Sequence, residues 1–272
     1  MAQPSYPTVP AGWYPDPTGD PDERYWDGRT WTGYVRTAPA PERVLTPLPP
    51  RAAVVGLVGL LVGGVAALVL SLIVYLPTGS MPLTILASEA GLWGSFFGTS
   101  VLVSHRFGTG SLRDDYGLEI RPSDLGTGLL SFVASLVVAG VVAGLFAHTR
   151  LQGTNTRIIT SARHDVVGLA IVAGIATIGA PIFEELFFRG LIRRSLESKV
   201  GPVGAVWLQA VLFSLGHYQV GMGLANVSVI AGTLSLGVVL GYTALMSRRL
   251  APGMIAHGLF NGLVTLTIIL AR

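Results

Sequence analysis

From Ala52 onward, long apolar runs alternate with short polar ones, and the runs near 52–76, 83–104, 126–147, 166–190, 203–218, 226–246 and 251–270 approach or exceed what a membrane helix needs. A bilayer core of about 30 Å takes roughly 20 helical residues. The pattern therefore predicts an all-α polytopic membrane protein, a bundle of about seven transmembrane helices. The segment 111–125, SLRDDYGLEIRPSDL, mixes polar and scattered apolar residues and is expected at the membrane surface.

Residues 1–50 follow a different rule. Between 13 and 34, WYPDPTGDPDERYWDGRTWTGY, aromatics alternate with Asp-Pro, Thr-Gly and Asp-Gly turn signals, which predicts a very small β-hairpin module. Asp27-Gly28 suits a tight turn between Arg24-Tyr25-Trp26 and Arg29-Thr30-Trp31, with Trp13, Trp26 and Trp31 expected to form a miniature aromatic core. This stretch resembles the short Trp-rich domain of unknown function at the N-termini of many actinobacterial membrane proteins. It implies no chemistry, and its expected role is to meet a protein partner. Residues 37–50 carry five prolines and read as a linker. The chain thus divides into a module at 1–36, the linker, two helices over 51–109 and a membrane domain over 110–272.

Composition sharpens this division. Half of the 272 residues are hydrophobic and 12% are charged, about half the charged share of a soluble domain. Six of the fifteen acidic residues fall in the first 50 positions. The net charge of +3 and pI near 9.4 come from basic residues between apolar runs, not from a stripe, so nucleic acid is not an expected partner. The lipid bilayer is. Arg43, Arg51, Arg106, Arg113, Arg121, Arg193, Arg194, Lys199, Arg248 and Arg249 all fall on one side of the seven-span scheme, taken as cytoplasmic together with the N-terminus. Arg150, Arg157 and Arg163 fall on the other. With no cysteine, disulfides, thiolate metal sites and a thiol nucleophile are excluded.

Ionisable groups inside apolar spans are costly and mark candidate sites. In APIFEELFFRGLIRR, Glu185 and Arg189 are four residues apart on one helix face, while Glu184 points about 100° away. Glu185 is then held by Arg189, and Glu184 is left able to accept a proton from water. The bland reading is an interfacial charge cluster that ends a span. In VLFSLGHYQV, Phe213 and His217 share a face, and the histidine can hold a water, bind a metal or simply pack. In PGMIAHGLFNGL, His257 and Asn261 share another face and can donate to one point, as an oxyanion needs, or serve as ordinary interhelical hydrogen bonds. Glu89 in the second span, and His105, His148 and His164 beside spans, are expected to have ordinary hydrogen-bonding or solvated roles.

The order EExxxR, FxxxH, HxxxN, each on its own apolar helix, resembles the type II CAAX prenyl protease family of intramembrane proteases, also called the CPBP or ABI family. The resemblance covers roughly residues 110–270. It implies Glu184 as the base that activates water, His217 as a ligand of that water, His257 and Asn261 as the oxyanion site, and Glu185 with Arg189 as support. It also implies a site that opens to the cytosol. Glu184, His217 and His257 could hold zinc, but there is no HExxH, so metal-dependent and metal-free hydrolysis both stay open. The function expected is an intramembrane endopeptidase acting on a peptide or protein substrate, in bacteriocin maturation, self-immunity or other processing. The alternative is a noncatalytic scaffold or immunity protein that binds a peptide in the same cavity. A solute transporter would need paired broken helices or internal repeats, and neither is present. One geometric tension stands out. If the fourth span exits near Arg193, Glu184 lies about 13 Å below the surface but His217 about 24 Å along its helix, so the fifth helix is expected to start later or run obliquely.

Overall fold

The computed structural model describes residues 9–20, 22–38, 45–149, 151 and 165–270. Its contacts fall into two compact units, Met1–Val44 and Leu45–Arg272. The residues Arg43, Arg150, Arg157, Arg163 and His164, singled out above, lie outside the described ones.

The first unit is a three-stranded antiparallel sheet, β1 (Gly12–Pro15), β2 (Glu23–Trp26) and β3 (Trp31–Arg36), in that order. The Asp27-Gly28 turn forms as predicted in kind but is wider. Trp26 pairs with Trp31, Asp27 Oδ1 accepts from the amides of Arg29 and Thr30 at 2.7 and 2.6 Å, and Gly28 has φ +96°, a conformation that glycine adopts readily. The three tryptophans do not form one core. Trp26 and Trp31 meet edge to face at 5.3 Å, whereas Trp13 packs on Tyr25 at 5.3 Å and lies under Arg36. Trp13 pairs with Tyr25 in register, so strand alternation puts it on the other face from Trp26.

Asp16 ties the turn between β1 and β2. It accepts from the Thr18 amide at 2.9 Å and hydroxyl at 2.7 Å, and from Arg24 Nε at 2.9 Å. The Thr18 bonds, helped by Arg24, hold its carboxyl below the ordinary value of 3.8. A depressed pKa contributes stability that is fully present above the unfolded value and fades as pH falls through the folded one. The module is therefore expected to loosen below about pH 3.8, and Asp16→Asn is expected to remove Asp16's share of that dependence, leaving the share of Asp27, which the Thr30 and Arg29 amides also hold low. Acid titration of tryptophan fluorescence, in a Trp93→Phe, Trp207→Phe background, checks both.

The second unit is helical. Its elements are α1 (Arg51–Thr78), α2 (Met81–Phe107), the short α3 (Leu112–Tyr116) and α4 (Ser123–Phe146). A continuous broken helix follows: α5 (Val166–Gly174), a π-helical turn (Ile175–Gly179), α6 (Ala180–Glu184), a second π-helical stretch (Glu185–Ile192) and α7 (Arg193–Leu215). After a 3-10 turn (Gly223–Ala225) come α8 (Asn226–Ser247) and α9 (Ala251–Leu270). Five runs are long and apolar enough to cross a membrane: Arg51–Thr78, Ser123–Phe146, Val166–Leu215, Gly223–Ser247 and Ala251–Leu270. The third holds two of the predicted spans, and α2 is equally long but more polar. Large apolar side chains such as Leu61, Leu68, Leu130 and Leu145 are exposed along α1 and α4. Such broad apolar faces suit lipid, not water. The chain is a multi-pass membrane protein.

Polar residues gather at one end of the bundle. Thr46 N donates to Asp114 O, Arg194 to Thr46 O and Asp115 O, Leu250 N to Gly117 O, and Arg249 pairs with Asp124 at 2.6 Å. Residues 45–50, read as linker above, thus begin the second unit, with Leu48 in its core.

The helix of the fourth span does not end at Arg193. Arg193 is buried, donates to Arg189 O at 3.2 Å and pairs with Glu197, as does Arg194. Helix persists to Gly201, where φ 73° and ψ 167° break it ahead of Pro202. A glycine tolerates that backbone, and a proline can start the next arm. Glu184 and His217 lie almost equally far in sequence from Gly201, each roughly 25 Å along its own arm. The expected later start of the fifth helix is not met, since its arm begins at Pro202; it is the fourth helix that runs on, past Arg193 to Gly201. The arms fold back on each other, Phe213 against Phe188 at 5.3 Å.

Candidate active site

Glu185 anchors the site. One oxygen, Oε1, meets Arg189 Nη1 at 3.0 Å and His257 Nδ1 at 3.1 Å, and all three side chains are buried. A carboxylate only accepts, so Nδ1 of His257 is the donor and its Nε2 is turned outward. Nε2 faces Glu184 Oε2 at 3.9 Å. That oxygen is buried and makes no hydrogen bond to a described protein group. The adjacent glutamates thus differ: one is fixed by a cation and an imidazole, and the other keeps an oxygen with no hydrogen bond among the described residues.

Close approach of α9 makes this possible. A Cβ on Gly253 would sit 2.8 Å from Glu185 Oε2. Gly253→Ala is expected to displace that carboxylate from Arg189 and His257, lowering activity far more than melting temperature. Peptide cleavage rates set beside thermal unfolding of the same preparation test this. Glu185 cannot swing aside freely, because two partners hold its other oxygen.

Arg189 lies over the Phe213 ring, 4.4 Å from guanidinium carbon to centroid, the geometry of a cation–π contact. Phe213 is the hub of the site. Its ring also meets His217 at 4.6 Å and His257 at 6.0 Å. His217 follows the end of α7, and its Nδ1 donates to Phe213 O at 2.8 Å. A carbonyl can only accept, so the neutral ring presents Nε2 as its lone-pair nitrogen. Phe213 thus links His217 to His257 and Arg189, and no hydrogen bond or ion pair joins His217 to Glu184 among the described residues.

Asn261 already commits one of its two amide hydrogens elsewhere. Its Nδ2 donates to Ala176 O at 2.8 Å. The reason lies in the broken helix. Ala180 N bonds Ile175 O in π register, and the next donor in that register would be Pro181, which has no N–H. The carbonyl of Ala176 is then left for Asn261. Gly258 lets α9 come close at the same place, since a Cβ there would be 2.8 Å from Thr177 O. Proline at 181 was the readable signal for this break, and π turns concentrate at functional sites.

Among the described residues no group of three histidine or carboxylate side chains is gathered for a metal. Glu184, His217 and His257 thus do not form a ready three-ligand zinc set. His105 and His148 are exposed. Glu89, set aside in the sequence, proves to face the broken helix.

The fold and this buried carboxylate–arginine–histidine cluster define a membrane protein with a polar site inside the helix bundle. Residues 166–263, which hold all three motifs, match the family described as type II CAAX prenyl endopeptidase Rce1-like, and residues 11–44 match that of a protein of unknown function (DUF2510). The first match supports a membrane endopeptidase in general. No curated protein and no solved structure matches the chain.

Proposed function

We propose that the protein is an intramembrane endopeptidase that hydrolyses a peptide bond of a membrane-associated peptide with water activated by Glu184. The observation that carries this reading is the division of labour between the glutamates. Glu185 holds Arg189 and His257, and Glu184 keeps a buried, unpaired oxygen opposite His257 Nε2. In this reading a small outward movement of either group, now 3.9 Å apart, seats a bridging water between them.

Glu184 takes a proton from that water, and the hydroxide oxygen bonds to the carbonyl carbon. The carbonyl π electrons move onto oxygen, where His257 and the second amide hydrogen of Asn261 receive the charge. His257 donates from Nε2 only as an imidazolium, and Glu185 at Nδ1 stabilises that form as a carboxylate partner does in hydrolytic triads. The C–N bond then breaks, and the proton held by Glu184 passes to the leaving nitrogen. His217 offers Nε2 to water or substrate, and Phe213 fixes both imidazoles. The polar end of the bundle faces the cytosol in this reading, with His257 roughly 10 Å inside it. Substrates are peptides to be matured, bacteriocin-type precursors included, and the aromatic module meets a protein partner.

The test is cleavage of a membrane-peptide library by purified wild-type and His257→Ala proteins in lipid nanodiscs. Fragments from the wild type that vanish in the variant support the mechanism. Peptides retained uncut by both support a noncatalytic scaffold.

A further inference from the structure

Glu89 is a carboxylate that the three motifs leave unused. It is the sole charged side chain of α2 between Met81 and Ser104. Ile85, Glu89 and Trp93 are spaced four apart and share one helix face. Ile85 packs with Val172 of α5. Trp93 stacks on Phe183 of α6 at 5.1 Å, and its ring fills the space where a Cβ on Gly179 would stand. Both ends of this face rest on the broken helix, so Glu89 between them faces it too, on the side of the site away from the Gly201 corner. Its carboxylate is within electrostatic reach of Glu184.

Glu89 is partly buried and makes no hydrogen bond or ion pair among the described residues. A lone carboxylate in an apolar helix is retained at a cost. The cation of the site, Arg189, is already taken by Glu185. Among the described residues no other cation meets Glu89, so a bound molecule can supply the positive charge, and the neighbouring rings of Trp93 and Phe183 suit the aliphatic stem of a long cationic side chain.

We propose that Glu89 is a specificity-determining residue of this site, whose carboxylate receives a Lys or Arg side chain of the peptide substrate. The inference rests on the endopeptidase reading above. It is tested with peptides that carry, at each position near the cut, Lys, norleucine or Glu, presented to wild-type, Glu89→Gln and Glu89→Lys proteins. The wild type is expected to favour Lys over norleucine roughly tenfold in kcat/KM at one position. Glu89→Gln brings that ratio near one, and Glu89→Lys turns the preference toward Glu. A merely structural residue would lower all rates together. A Lys preference equal in wild type and Glu89→Gln overturns the inference and leaves the endopeptidase reading standing. If the wild type cuts nothing, the endopeptidase reading fails, and the Kd ratio of the same peptides, which needs no turnover, decides the Glu89 contact alone.

Discussion

Glu184→Gln lowers the turnover of a cleaved peptide by roughly 10²- to 10⁴-fold, the range a positioned general base contributes, while substrate affinity and melting temperature stay near wild type. Glutamine keeps the shape of the side chain but cannot take the proton of water. Oε2 makes no hydrogen bond to a described protein group, so the fold has little to lose there. Single-turnover kinetics separates the step, because the loss falls on kcat and not on binding. Turnover within a few fold of wild type would remove Glu184 from the base role.

Arg189→Met has the largest expected effect on stability. It leaves Glu185 a buried carboxylate without its cation, and breaking such a pair on one side costs about 3–5 kcal/mol. Phe213 also loses the guanidinium that covers it. The double variant Arg189→Met, Glu185→Gln is expected to recover part of the stability, since no uncompensated charge remains. Activity stays low, because the His257 Nδ1–H loses its carboxylate. Reversible unfolding in mixed micelles measures the first effect and peptide cleavage the second. A double variant no more stable than the single one would mean that the pair is not what holds this region.

The division of Glu184 from Glu185 was legible because a four-residue spacing fixes which side chains share a face, and Arg189 met Glu185 accordingly. The Asp-Gly turn was legible from its residue types, but its register was not, since Trp26 pairs with Trp31 across the wider loop 27–30. Depth was not. Where a helix turns depends on Gly201, and a glycine inside a long apolar-to-basic run reads equally well as helix interior. Arg193 and Arg194 looked like loop charges because two partners of Arg194, Thr46 and Asp115, are brought to it only by the fold, although Glu197, one turn on, was readable from spacing. The partner of Asn261 depended on a π register that hydrophobic periodicity does not reveal. Glu89 was passed over since its neighbour across the bundle, the stretch from Val172 to Phe183, is some ninety residues away in sequence.

The central claim is that this cluster hydrolyses a peptide bond with water held at Glu184. Cleavage by the wild-type protein in ¹⁸O-water, read by mass spectrometry of the two fragments, tests it most directly. The account predicts one heavy oxygen in the new C-terminal carboxylate, an unlabelled new amine, and no labelled fragment from Glu184→Gln. Intact, unlabelled peptide recovered from the wild type across the library would contradict it.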